Sequence, residues 1–193
     1  MLNILELMKS PEPSLADSDG LSATWAKAVI LSGPSSVGKT TIAHQLQRLA
    51  VRPAVFLGDD VFVPSPSVVE DHIAALSAPE WSSWRDAFFR GYFEGLRAFV
   101  TNGFHAIGEV VFTDQARLDI AREVLADTPH LFVRVHCDTA TRQARARARR
   151  DRPPGLSDQS AIAEIVAPSD MDVERPDARH ARLLLTSRSA WTS

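Results

Sequence analysis

The chain has 193 residues, a net charge of -3 and a hydrophobic fraction of 45%, enough for one domain with a real core but without the basic field that nucleic acid would ask for. Cys137 is the only cysteine, so no internal disulfide can form, which fits a reducing, cytoplasmic setting. No apolar run nears the ~20 residues of a membrane span, and the start, with Glu6 inside its apolar part and no basic region ahead of it, does not read as a signal peptide. Residues 1–24 read as an N-terminal extension ahead of a domain over residues 25–193. Its Ser10-Pro11-Glu12-Pro13 and Asp17-Ser18-Asp19-Gly20 stretches are linker-like. Leu2, Leu5 and Met8 fit either a short turn packed on the body or a frayed terminus.

Ala28-Val29-Ile30-Leu31 is a short apolar run of the kind that makes a buried strand. It leads into Gly33-Pro34-Ser35-Ser36-Val37-Gly38-Lys39-Thr40-Thr41, which fits the phosphate-binding pattern G-x-x-x-x-G-K-[ST]. Residues 41–49 then read as a helix with Ile42, Leu46 and Leu49 on one face. Strand, glycine loop and helix is the order the motif requires. Gly33 and Gly38 let the backbone turn tightly and approach an oxyanion. Loop N–H groups and the helix N-terminus point at phosphate. Lys39 supplies a point charge to the β- and γ-phosphates, and the Thr40 hydroxyl can ligate Mg²⁺.

Pro53 to Leu57 predicts a second buried strand, and Gly58-Asp59-Asp60 follows at once. Acids at a strand's C-terminal end stand where open α/β sheets bind ligands, although Gly-Asp is also ordinary turn chemistry. Residues 62–80 read as a proline-rich loop with a short helix around 69–76. Glu80 to Asn102 predicts a long helix ended by Gly103, with an apolar face of Trp84, Phe88, Tyr92, Leu96 and Phe99 widened by Phe89, Phe93 and Val100. Such a stripe fits core packing, and its Trp81–Trp84 end is the part placed to line a pocket. Phe104 to Phe112 predicts a third strand carrying Glu109. A carboxylate in apolar surroundings is costly unless paired or near a cation, so Glu109 is either a metal-side acid or a solvent-facing strand residue.

Thr113-Asp114-Gln115 caps a helix to about Ala126, and Leu131 to Val135 predicts the fourth strand, with Cys137 packed just beyond it. Thr139 to Arg150 reads as a helix carrying Arg142, Arg145, Arg147, Arg149 and Arg150, with Arg152 following. So basic a run in an acidic protein fits a phosphate-facing lid or a solvated helix face. Ser157 to Val166 predicts a short helix, and Arg182 to Thr186 the fifth strand. Strands alternating with helices predict an α/β fold: a five-stranded parallel sheet with helices on both faces and an Arg-rich lid.

The chain resembles the chloramphenicol phosphotransferase family of P-loop kinases from about Ala28 to Ala163. The resemblance rests on Ser35-Ser36-Val37-Gly38-Lys39, on Phe56-Leu57-Gly58-Asp59, on Glu94-Gly95 ahead of Gly103, on Glu109 with Val111-Phe112, and on the pattern R-x-x-x-R-x-D-R-x-x-G at Arg145, Arg149, Asp151, Arg152 and Gly155. It departs from the family where Val110 replaces a second acid, where Pro176-Asp177 stands for Tyr-Asp, and where Leu185 precedes Thr186 in place of an acid. What it implies is ATP-dependent phosphorylation of a hydroxyl on a small molecule, as in antibiotic inactivation. Asp59 would be the base, with Asp60 the alternative. Lys39 would lie on the phosphates, Thr40 and Glu109 on Mg²⁺, and Arg145, Arg149 and Arg152 in the lid. Kinases acting on a shikimate-like compound, a sugar acid or a nucleotide-sugar, toxin-like kinases included, and a nucleotide-binding regulatory protein remain open, as does a homo-oligomer. A guanine-reading Asn-Lys-x-Asp segment is absent from the sequence.

Overall fold

The computed structural model describes residues 27–50, 53–59, 75–149, 171–174 and 184–187. Strands β1 (Ala28–Ser32), β2 (Ala54–Gly58), β3 (His105–Val110), β4 (His130–His136), β5 (Met171–Glu174) and β6 (Leu184–Ser187) form one sheet in the order β2-β3-β1-β4-β5-β6. Helices α1 (Lys39–Leu49), α2 (Ala78–Thr101), α3 (Gln115–Leu125) and α4 (Thr139–Ala148) lie between them in the chain.

β1 is buried along its whole length, and its alternation explains why. Ala28 and Ile30 enter one apolar cluster with Tyr92, Phe93 and Leu96 of α2 and Leu118, Val124 and Leu125 of α3. Val29 and Leu31 enter the other, with Ile42, Ala43 and Leu46 of α1. A strand covered on both faces reads as a continuous apolar run, as this one does. No helix among the described residues is long and apolar enough to cross a membrane.

The parallel sheet and its covering helices agree with the sequence reading, but the strand count does not. The sheet has six strands, five of them parallel in a row, and β6 pairs antiparallel to β5. β5 is the strand with no sequence signal: Met-Asp-Val-Glu is four residues with acids at every second place. The predicted fifth strand is found two residues late, as β6. Residues 175–183, which join the two, are fewer than the dozen or more a parallel crossover needs, so the chain returns antiparallel. Nothing among the described residues forms a lid. The helix predicted around 69–76 lies outside them except for residues 75 and 76, which form a turn and a bend, and the helix predicted around 157–166 and the extension 1–24 lie wholly outside.

α2 starts two residues earlier than predicted. The Ser77 N–H and hydroxyl both donate to Glu80 Oε2, at 2.8 and 2.6 Å, which satisfies donors a helix start leaves free. Those bonds, the hydroxyl's first, hold the Glu80 carboxyl below its usual range. Its buried face is Phe89, Tyr92, Phe93, Leu96 and Val100, whereas Trp84 and Phe99, expected in the core, are 41% and 36% exposed. Leu49 of α1 is likewise exposed. Gly103, at φ 84°, ends α2 in the left-handed region.

Candidate active site

β1 hydrogen-bonds to β3 on one side and β4 on the other, so strand order reverses there, and ligands of such sheets bind outside the strand ends at that reversal. The loop from Gly33 to Gly38 occupies this place. Gly33, Ser36 and Gly38 have φ of 145°, 68° and 103°. A Cβ at Gly33 would stand 2.2 Å from the Val135 carbonyl oxygen, so close passage over β4 admits glycine alone. A cleft of about 260 Å³ lined by Gly33, Pro34, Arg134, Val135 and His136 opens beside the loop.

Lys39 is the first residue of α1 and its side chain is 3% exposed. Its ammonium donates to the carbonyls of Gly33 (2.9 Å) and Pro34 (3.0 Å) and lies 3.8 Å from Glu109 Oε1. The Thr40 hydroxyl donates to Glu109 Oε2 at 2.7 Å. β3 alternation explains the meeting. Ile107 packs in the α1-side cluster, and Glu109, two residues on, faces the same way. Glu109 is thus a paired acid beside the loop and not a solvent-facing strand residue. Ser35 and Val37 are buried in the loop, and Thr41 is exposed on α1.

Gly58 at the end of β2 pairs in register with Glu109, so Asp59, half-buried, follows directly beside it. Between the two stands Tyr92, which sequence reasoning had placed only in the core. Its hydroxyl lies 2.9 Å from the Leu57 carbonyl and 3.0 Å from that of Glu109, and shares its one proton between them. Burial first, then the charges of Asp59 and Glu109, push the phenol well above its ordinary pKa, so it stays a neutral donor. Gly108 makes room for it: a Cβ there would come within 3.0 Å of the Tyr92 hydroxyl and 2.8 Å of Leu96 Cδ1. Asp60 lies outside the described residues.

α4 docks on the loop. Asp138 caps it, accepting the Thr141 N–H at 2.8 Å, and hydrogen bonding from Thr141 lowers the Asp138 pKa. Arg142 is buried, and Arg145 donates from Nη1 to the Val37 carbonyl at 3.2 Å. Part of the basic run therefore packs on the loop rather than facing solvent. Arg149 is the half-buried C-cap of α4, and Arg152 lies outside the described residues. Glu94 does not join the site; it pairs with Arg97 on the exposed side of α2.

A second charged group was not legible in the sequence. Arg85 and Asp86 of α2 meet Asp114 and Arg117 at the start of α3. Arg85 lies 3.5 Å from Asp86 and 3.6 Å from Asp114 Oδ2, and Arg117 Nε lies 3.4 Å from that same oxygen. Some thirty residues separate the two halves, and the faint signal was charge inside the aromatic stripe of α2.

The sequence over residues 26–182 matches the family of chloramphenicol phosphotransferase-like proteins. No curated protein matches it. Among solved structures, an unliganded sugar kinase from Janibacter sp. is similar with a TM-score of 0.57 and 20% identity, over 77% of this chain and 85% of that one. A gluconokinase from Sinorhizobium meliloti gives 0.53 and 15%, over 77% and 82%. The Mycobacterium tuberculosis APS kinase in complex with AMPPNP and APS gives 0.52 and 17%, over 79% and 90%. At these identities the structures speak for a shared kinase-type P-loop fold, and the family match, which spans most of the sequence, identifies this chain as a member of the chloramphenicol phosphotransferase-like family.

Proposed function

We propose that the protein transfers the γ-phosphate of ATP to a hydroxyl of a small molecule. The observation that carries this is the joining of Lys39, Thr40 and Glu109 under the phosphate loop, with Asp59 one residue past the strand pair that holds Glu109. Loop N–H groups and Lys39 hold the β- and γ-phosphates. The oxygen donors Thr40 and Glu109 suit Mg²⁺, a hard cation, and that ion, when bound, supplies charge neutralisation on the phosphates. Asp59 orients the acceptor hydroxyl and takes its proton as the new O–P bond forms and the bond from Pγ to the β–γ bridging oxygen breaks. Arg145 fixes the loop from behind, and Arg149 and Arg152 neutralise charge on the transferred group. Most of the rate comes from position and field, as this reaction class requires.

The family makes hydroxylated antibiotics, chloramphenicol among them, the first acceptors to try. The partner is a small molecule rather than nucleic acid or a membrane, as the net charge of -3 suggests. The test is transfer of label from γ-labelled ATP to a panel of alcohols, beside ADP release without acceptor. Acceptor-dependent transfer, lost in Lys39→Ala, is expected. ADP release of equal rate with and without every acceptor, and no labelled product, would refute kinase action in favour of a nucleotide-hydrolysing switch.

A further inference from the structure

α2 has 24 residues, about 36 Å at 1.5 Å per residue, against about 20 Å for the six-residue β3 beneath it. It runs antiparallel to the strands and delivers the chain to the start of β3, so its first three turns overhang the ligand end of the sheet. These turns carry Arg85 and Asp86, and the start of α3, which follows the end of β3, carries Asp114 and Arg117.

Of the four charged side chains, Asp114 is fixed as the cap of α3, accepting the Arg117 N–H at 3.0 Å, while Arg85 and Asp86 are held by longer contacts. Arg85 is 23% exposed and makes ion pairs at 3.5 and 3.6 Å, too long for hydrogen bonds. No hydrogen bond of its guanidinium to another described residue is present. Arg117 is pinned, with Nη1 donating to the Val111 carbonyl at 3.3 Å and its guanidinium 4.5 Å over the Phe89 ring. Among the described residues no hydrogen-bond partner meets the buried Arg85 Nε, Arg117 Nε and Asp86 Oδ1, as is also true of Arg142 Nε and Arg145 Nη2 in α4. Polar groups left so are costly, by the desolvation each has undergone, and tend to mark sites where a partner completes them.

The mixture in the cluster says what kind of partner. Two of its three atoms are donors and one is an acceptor, and a hydroxyl can answer both, whereas a carboxylate or phosphate answers donors alone. The charges agree. Burial lowers the Arg117 pKa, with Arg85 adding to it, while Asp114, Asp59 and Asp86 oppose. Within the cluster two carboxylates, Asp86 and Asp114, stand against two guanidiniums, Arg85 and Arg117, so it offers an anion no excess of positive charge. Beside the cluster runs a ladder of nearly parallel rings, Trp81 on Trp84 at 5.3 Å and Trp84 on Phe88 at 5.7 Å, with Trp84 41% exposed. It offers a flat apolar face at the rim.

We propose that this cluster is the acceptor subsite, and that the acceptor is an uncharged polyhydroxylated ring of the sugar or cyclitol class, its hydroxyls engaging Arg85 and Asp86 and its carbon face lying on Trp84. The inference rests on the phosphotransfer reading. It departs from an aryl antibiotic as acceptor and from a sugar acid.

The experiment uses the full chain with Mg-ATP and three sets of compounds: uncharged hexoses and cyclitols, the matching sugar acids, and aryl alcohols including chloramphenicol. Transfer is read with γ-labelled ATP. Binding is read separately by saturation-transfer NMR in the presence of AMPPNP, which needs no turnover. At least one uncharged polyol is expected to exceed its acid counterpart about tenfold or more in kcat/KM. Arg85→Gln and Asp86→Asn, both at partly exposed positions, are expected to raise the acceptor KM about tenfold with ATP KM and melting temperature near wild type, as lost hydrogen bonds to a substrate hydroxyl do. Arg85→Lys, which keeps the charge but not the fork, is expected to behave like Arg85→Gln. Preference for sugar acids or aryl alcohols, or wild-type acceptor KM in both variants, overturns the subsite. Polyol binding that depends on Arg85 and Asp86 without transfer to any compound keeps the subsite and overturns the phosphotransfer reading instead.

Discussion

Lys39 is held by carbonyls of the loop it serves. Lys39→Ala removes both the charge for the phosphates and a clasp on the loop, so transfer is expected to fall about 10³-fold or more, in the range charge-stabilising groups supply to this reaction. Circular dichroism and melting should show the fold retained, because the two apolar clusters lie behind the residue. Asp59→Asn is expected to cut single-turnover transfer about 10²-fold or more, a typical loss for an acid-base group, with nucleotide affinity unchanged. Glu109→Gln keeps the shape but removes the charge beside Thr40. It is expected to raise the Mg²⁺ concentration needed for half-maximal rate, measured by titration at fixed ATP. The identity of these three residues was legible in the sequence because a motif and a family resemblance named them. Their geometry was not: that Glu109 faces the loop depends on which face of β3 its register presents.

At the scale of elements, α2 ties the catalytic strand ends together through one hydroxyl. Tyr92→Phe leaves the ring in the core and removes the bridge between the Leu57 and Glu109 carbonyls. We expect kcat to fall while both KM values stay near wild type, and destabilisation of about 1–2 kcal/mol from the lost bond, read by denaturant titration. Steady-state parameters unchanged from wild type would mean that Tyr92 only packs. Helix α4 carries a pH dependence. Hydrogen bonding lowers the Asp138 pKa in the folded protein, so its capping contribution is present above the unfolded carboxylate value of about 3.9 and is lost as pH falls through the lower folded value. Protection of the α4 amides, corrected for the intrinsic exchange rate at each pH, should therefore weaken on acidification toward that range, and Asp138→Asn should remove the step. The start of α2 was hidden because Pro79 read as a breaker, whereas inside the first turn it is tolerated. Its inner face was drawn too wide: all five buried residues belong to the predicted stripe, but Trp84 and Phe99 turn outward, because apolar residues surround much of the helix and only packing selects the arc that turns inward.

For the molecule as a whole, ligand binding should appear as stability. Mg-ATP at about 100 times its dissociation constant is expected to add about 2.7 kcal/mol, seen as a rise in melting temperature that Lys39→Ala abolishes. The alternation of strand and helix was legible as far as β4, and the count failed at β5, whose four residues carry acids at every second place. The acceptor cluster was illegible because two elements distant in sequence create it. The sheet also separates two jobs. Lys39, Thr40 and Glu109 stand on the face packed by α1, while Arg85, Asp86, Asp114 and Arg117 belong to α2 and α3 on the other, and each face has its own apolar cluster. Mutations at the outward residues of the overhanging turns of α2, such as the exposed Trp84, thus fall away from the phosphate loop. A lineage built this way can exchange what it phosphorylates without relearning how, and a library confined to residues 78–88 is the corresponding route for retargeting it by design.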